Sequence, residues 1–184
     1  MAYQPLPGDI LMCYAPSVVG SAIDTVEGLG LLREHKKPPD HVPIYSHCCV
    51  YLGPDPTEDT GLCYVSEALG RGVVRSNAAK YEDVADVWAM SLTAQQREDV
   101  VHRANAFWRT HWRYSYGDIF VQFVRLLTGL KMPFEMKRSI ICSLQCYDCY
   151  QAASEKIAAL RNCAPEDIPI YGALEYRGQF GGGR

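Results

Sequence analysis

The chain predicts an α+β fold, an antiparallel sheet with helices gathered on it. Three observations carry this. Short apolar, β-rich runs recur between residues 44 and 90, separated by turn residues. After Thr93 the hydrophobic period lengthens from alternation to the spacing of helix faces. Helical patterns then continue to about residue 160.

The elements follow in order. Pro7-Gly8-Asp9 is a turn that leads into a short strand, Ile10 to Tyr14. Ser17 can cap a helix carrying Val18, Val19, Ala22, Ile23 and Val26, closed by Gly28 and Gly30. Residues 33 to 43 form a polar, proline-rich loop. Ile44 to Leu52 has the nearly unbroken apolar pattern of a buried strand. Gly53 to Gly61 is a hairpin loop, Leu62 to Leu69 a second strand of the meander, and Val73 to Ser76 a third after the tight turn Gly70-Arg71-Gly72. Val84 to Met90 makes a fourth. Thr93 with Gln96 has the form of a capping box, which predicts a helix with Val100, Val101, Ala104, Phe107 and Trp108 on its inner face. Tyr114 to Asp118 is a turn, Ile119 to Leu130 an apolar helix, and a last helix runs from near Cys142 to about Leu160. No repeat or linker divides the chain. A single domain is expected, with its core over about 7–162 and a loosely packed tail over 163–184.

Composition narrows the function. Of 184 residues, 48% are hydrophobic and 21% charged, which are globular proportions. The net charge is -3 and the only basic cluster, Arg33, His35, Lys36 and Lys37, is short, so nucleic acid is not an expected partner. No run approaches the roughly 20 apolar residues of a membrane span. Residues 1 to 9 carry Pro5, Pro7 and Gly8 and no signal-like apolar core. Synthesis in a reducing cytosol is expected, with export by a route lacking a cleaved signal left open. The eight cysteines do not read as a disulfide framework, because Cys48 and Cys49 are adjacent and Cys142, Cys146 and Cys149 recur at helical spacing. Cys146-x-x-Cys149 has zinc spacing, but it lies mid-helix without a second pair.

Three residues stand out chemically. Cys142 falls where an apolar strand gives way to a helix, and the positive end of a helix favours a thiolate. His47 interrupts an apolar strand and has the titration range of a general base. Glu67 lies inside another strand, where a buried carboxylate needs a cationic partner. Nucleophile, base and orienting acid together have the logic of a triad. Each has an ordinary alternative: a buried small hydrophobe, a core histidine, an outward-facing glutamate. Tyr14, at the end of the first strand, could donate to an oxyanion together with the Cys142 backbone N–H. Trp108, Trp112 and Tyr116, spaced by four, suggest one helical face, either as core packing or as the floor of a substrate groove.

Several short pieces occur in a telling order. These are Pro7-Gly8-Asp9-Ile10-Leu11, Ser46-His47 through Gly53, Ser66-Glu67-Ala68 through Gly72-Val73, Tyr116-Gly117-Asp118-Ile119-Phe120, and Cys142-Ser143. Over about residues 7 to 155 they resemble the NlpC-type hydrolases, in the circularly permuted YiiX/YaeF-like branch of papain-like amidases. The resemblance implies an antiparallel sheet or partial barrel packed with helices, and a nucleophile at the start of a C-terminal helix. It implies Cys142 as nucleophile, His47 as base and Glu67 as third member. Two departures concern substrate contacts: Leu144-Gln145 follow Cys-Ser where the family has an acidic residue and leucine, and Gly117 splits its Tyr-Asp pair. The implied activity is cysteine-dependent amide hydrolysis through an acyl-enzyme, on cell-wall peptides or N-acyl amides, with no metal or organic cofactor. The alternatives are lipid acyl hydrolysis or transfer with the same triad, for which Phe120, Phe123, Val124, Leu126, Leu127 and Leu130 offer an apolar segment, and a binding module without catalysis.

Overall fold

The computed structural model describes residues 2–14, 45–117, 124, 139–151, 153 and 174–181. The expected helix after Ser17, the loop over 33–43, most of the apolar helix over 119–130 and the last helix beyond Gln151 lie outside the described residues.

The strands are β1 (Ala2–Tyr3), β2 (Ile10–Cys13), β3 (His47–Pro54), β4 (Cys63–Leu69), β5 (Gly72–Asn77), β6 (Ala85–Ala89), β7 (Arg113–Tyr114), β8 (Ser139–Ile140) and β9 (Glu175–Phe180). The helices are α1 (Ala94–Arg109) and α2 (Cys142–Gln151), with a 3₁₀ turn over Ala78–Tyr81. Seven strands form one sheet in the order β1-β9-β6-β2-β3-β4-β5. Its pairs are antiparallel except β1 with β9. The fold is therefore α+β. No described helix is long and apolar enough to cross a membrane.

Both faces of the sheet are buried, which is why β2 and the stretch Cys48 to Leu52 of β3 carry apolar side chains on successive positions rather than on alternate ones. One face presents Ile10, Met12, Cys48, Val50 and Ala68 to α1 and α2. The other gathers Leu11, Cys13, Cys49, Tyr51, Val65, Val87 and Phe180 around Ala78 and Tyr81. Helix α1 begins with the expected reciprocal cap: Gln96 N–H donates to Thr93 Oγ1 at 3.2 Å and Thr93 N–H to Gln96 Oε1 at 2.9 Å. The Gln96 side-chain amide also donates to the Ala153 carbonyl at 2.7 Å, tying the start of α1 to the far end of α2. Gly72 starts β5 at φ +110°, where a Cβ would sit 2.6 Å from the Trp112 carbonyl oxygen. Only glycine lets those two backbones meet.

Four expectations are corrected. Residues 174–181 are not a loose tail, because Glu175–Phe180 is an interior strand between β1 and β6. With β1, it carries the core beyond both ends of 7–162. Its alternation is poor because only Gly178 and Phe180 of this strand are buried; backbone pairing with Asp86 through Ala89 holds it. Trp108 does not join the inner face of α1, which is Val100, Ala104 and Phe107, and is 36% exposed. The expected aromatic face also fails: α1 ends at Arg109, His111 adopts φ +53°, and Trp112 turns back edge-on against Phe107 at 4.9 Å. Finally, Tyr114 is not in a turn but in β7, which pairs in parallel with β8.

Candidate active site

The site forms where the starts of β3 and α2 meet. His47 is the first residue of β3 and Cys142 the first of α2. Strand β8 delivers the chain to Cys142, so the thiol takes the N-terminal position of α2, toward which the backbone N–H groups of the first turn point. Continuing the β3–β4 register back from Val50↔Ser66 puts Cys49 opposite Glu67 and His47 diagonal to it on the same face. His47 Nε2–H donates to Glu67 Oε2 at 3.3 Å. That leaves Nδ1 as the ring nitrogen for Cys142, with which His47 shares a hydrogen bond and a charge interaction.

The electrostatics of the two partners agree. Cys142 is held well below the ordinary thiol range: the Cys48 thiol, its strongest influence, donates to the sulfur, and the His47 hydrogen bond and charge add to this against the opposing effect of burial. Burial pushes His47 down, but hydrogen bonds to Cys142 and Glu67 and the charge on Cys142 outweigh it and hold the imidazole well above its usual range. Both shifts favour a thiolate beside an imidazolium. Cys48 itself goes the other way, raised by burial and then by Cys142 and Cys146, so it stays a protonated donor.

Glu67 is fully buried and ionised. Burial raises it, yet bonds from His47, Lys80, Ser76 and Tyr81 hold it at about 2. Lys80 Nζ donates to Oε1 and the Tyr81 hydroxyl to Oε2. Both donors come from the 3₁₀ turn, whose entry is fixed by Asn77 Oδ1 accepting from Ala79 N–H at 2.9 Å. The carboxylate thus has a cation on one oxygen and the imidazole on the other. That arrangement orients the ring and cannot easily take its proton.

Cys142, His47 and Glu67 are brought together as the sequence suggested. The other two expected residues stand differently. The Tyr14 hydroxyl accepts from Gln179 Nε2 at 2.9 Å, on β9 across β6. Tyr116 is 65% exposed, donates to the Gly70 carbonyl at 3.2 Å and stacks edge-on against Tyr114 at 5.2 Å. Tyr114 is a phenol close enough to Cys142 to feel its charge. It is raised first by burial and next by the charge of Cys142, and β7 pairing sets it opposite Ile140, two residues before the cysteine. Sequence reading missed Tyr114, Cys48, Lys80 and Tyr81. Cys48 had a visible signal as the neighbour of His47; the other three are positioned by pairings that no local pattern encodes.

An open cavity of about 460 Å³ is lined by Arg103, Ala106, Phe107, Thr110 and Trp112, none of them a triad member. Among the described residues no group of three or more His, Cys, Asp or Glu side chains is arranged to hold a metal ion. No protein-family model matches the chain, and no curated protein matches it significantly.

Proposed function

We propose that the protein is a cysteine hydrolase that cleaves amide bonds through an acyl-enzyme, with Cys142 as nucleophile, His47 as acid and base, and Glu67 as the group orienting His47. The observation that carries this reading is that Cys142 at the first position of α2, His47 at the first position of β3 and the buried Glu67 carboxylate adjoin in a row, with His47 Nε2 3.3 Å from Glu67 Oε2. A thiol at a helix start is driven down and the imidazole beside it is driven up, while a buried carboxylate holds the ring's other nitrogen. Such a pair supplies a nucleophile at neutral pH without a metal.

The steps follow from these atoms. The Cys142 thiolate attacks the carbonyl carbon, and the backbone N–H of Cys142 lies at the helix end where the developing oxyanion is stabilised. The His47 imidazolium gives its Nδ1 proton to the departing amine, leaving a thioester and a neutral ring. Neutral His47 then takes a proton from water, hydroxide adds to the thioester, and the released thiolate restores the pair. Glu67 keeps Nε2 protonated throughout, which fixes the tautomer. The Tyr114 phenol, which feels the charge of Cys142, is a side-chain candidate for a second contact with the substrate carbonyl.

Strand before helix, with base and acid preceding the nucleophile, also fits the permuted papain-like plan of the NlpC-type branch. Peptides of the cell wall and N-acyl amides are the substrate classes that this similarity favours. The test is mass-spectrometric readout of cleavage over a panel of murein peptides, acyl-amino acids and fatty-acyl esters, with Cys142→Ala as control. Cleavage of an amide by the wild type alone is expected. Ester cleavage without amide cleavage would move the reading to a lipid acyl hydrolase, and equal turnover by Cys142→Ala would overturn it.

A further inference from the structure

Asp86 poses a separate question. It lies on the interior strand β6 and is 7% exposed, yet among the described residues no lysine or arginine faces it. The Tyr45 hydroxyl donates to its Oδ2 at 2.8 Å, and Trp88 Nε1–H donates to that same hydroxyl at 3.0 Å. Oδ1 has no donor among the described residues. Burial raises the carboxylate's pKa with only the Tyr45 bond to offset it. Among the described residues Gln145 Oε1 is the side-chain polar atom that is both fully enclosed and without a partner, so Asp86 Oδ1 still reaches solvent and stands open as an acceptor at the edge of a largely buried carboxylate.

What surrounds Asp86 is aromatic. Tyr14 and Tyr45 lie with ring centroids 6.4 Å apart, Tyr45 meets Trp88 edge-on at 6.4 Å, and Trp88 meets Tyr176 at 5.6 Å. The wall runs from the interior outward, since Tyr45 and Trp88 are buried while Tyr176 is 56% exposed. Tyr14 feels the charges of Asp86 and Asp83, and Tyr176 that of Asp86, all negative. Ring faces and a carboxylate together attract cations. Oδ1, which has no donor among the described residues, asks further for an N–H donor, which a quaternary ammonium lacks.

The position relates to the site. Asp86 and Cys48 both pair with Met12, one from each side of β2, so the three side chains share one face in one row. Two strand spacings put Asp86 about 10 Å from Cys48, the residue that contacts the Cys142 sulfur. That is the reach of about three extended residues.

We propose that Asp86, walled by Tyr14, Tyr45, Trp88 and Tyr176, is a subsite for a primary ammonium group of the substrate. The assignment as a substrate subsite rests on the reading of Cys142 as nucleophile; the cation site itself does not. The group would enter past Tyr176 and donate to Asp86 Oδ1. A substrate presenting a free amine some three residues from the scissile carbonyl would then be preferred over its N-acetylated form.

The test uses n-butylammonium and tetramethylammonium chlorides, titrated while the indole N–H signal of Trp88 is followed by NMR. Butylammonium should shift that signal saturably, tetramethylammonium should bind more weakly, and Asp86→Asn should weaken butylammonium about tenfold or more. Should Asp86→Asn fail to fold, Tyr176→Ala, at an exposed position, should still weaken binding severalfold. Absence of a saturable shift, or equal affinity in both variants and the wild type, overturns the site. Tighter binding of tetramethylammonium overturns the ammonium-donor assignment. Alkylation of Cys142 in the wild type is a separate readout: sluggish alkylation with an intact Trp88 response sinks the nucleophile reading and spares the cation site.

Discussion

Replacing Glu67 with Gln should remove a defined part of the protein's acid sensitivity. The carboxylate titrates at about 2 when folded, against 4.5 for an ordinary glutamate. Because the folded value is depressed, its contribution is fully present above 4.5 and fades as pH falls through 2. The difference corresponds to about 3 kcal/mol in full, of which about 2 kcal/mol is gone by pH 3. Glu67 is completely buried, so solvent does little to discount this. Glutamine keeps the shape and an acceptor for Tyr81 and His47 but does not titrate, and Lys80, 41% exposed, returns to water. Urea unfolding of both proteins at about pH 6 and about pH 3 measures the effect. The wild type should lose about 2 kcal/mol more than Glu67→Gln over that interval. Other carboxylates are common to both and cancel. Parallel losses would mean that Glu67 is not the ionised hub of this network, and the orienting role would fall with it.

Other perturbations separate the remaining parts. Cys48→Ala removes the strongest influence lowering Cys142, so alkylation near pH 6 should slow severalfold and recover in alkali; an unchanged profile would exclude the donor role. Thr93→Ala breaks the reciprocal cap of α1 and should cost about 1 kcal/mol in urea unfolding while leaving Cys142 alkylation as it was. Amide turnover should rise with pH as Cys142 ionises, far on the acid side of an ordinary thiol. It should fall again only above the raised value of His47, once the ring loses the proton the leaving group needs. A descending limb at the ordinary imidazole range would contradict the pairing.

Much of the sheet could be read directly because its strands are apolar and separated by turn residues. His47, Glu67 and Cys142 stood out for a physical reason, since each places a titratable group where the local pattern calls for a hydrophobe or a helix start. The Tyr14–Gln179 contact was not legible, because lying at a strand end says nothing about which neighbour a hydroxyl meets, and Gln179 arrives from a distant strand. Glu175–Phe180 looked like a tail because a strand held by backbone pairing needs little apolar alternation. Lys80 and Tyr81 could not be seen as partners of Glu67, because a 3₁₀ turn after β5 folds them back across the sheet. Trp108 and Trp112 share a spacing, but the helix ends between them.

The most direct measurement is the rate at which iodoacetamide alkylates Cys142 across pH, located by mass spectrometry, in the wild type and in His47→Ala. If sulfur and ring form an ion pair, the wild-type rate stays level through neutrality with an acid-side midpoint well below that of a free thiol, and losing the ring moves that midpoint up. Identical profiles in the two proteins, each with the midpoint of an ordinary thiol, would show that this cysteine is not a nucleophile prepared by His47.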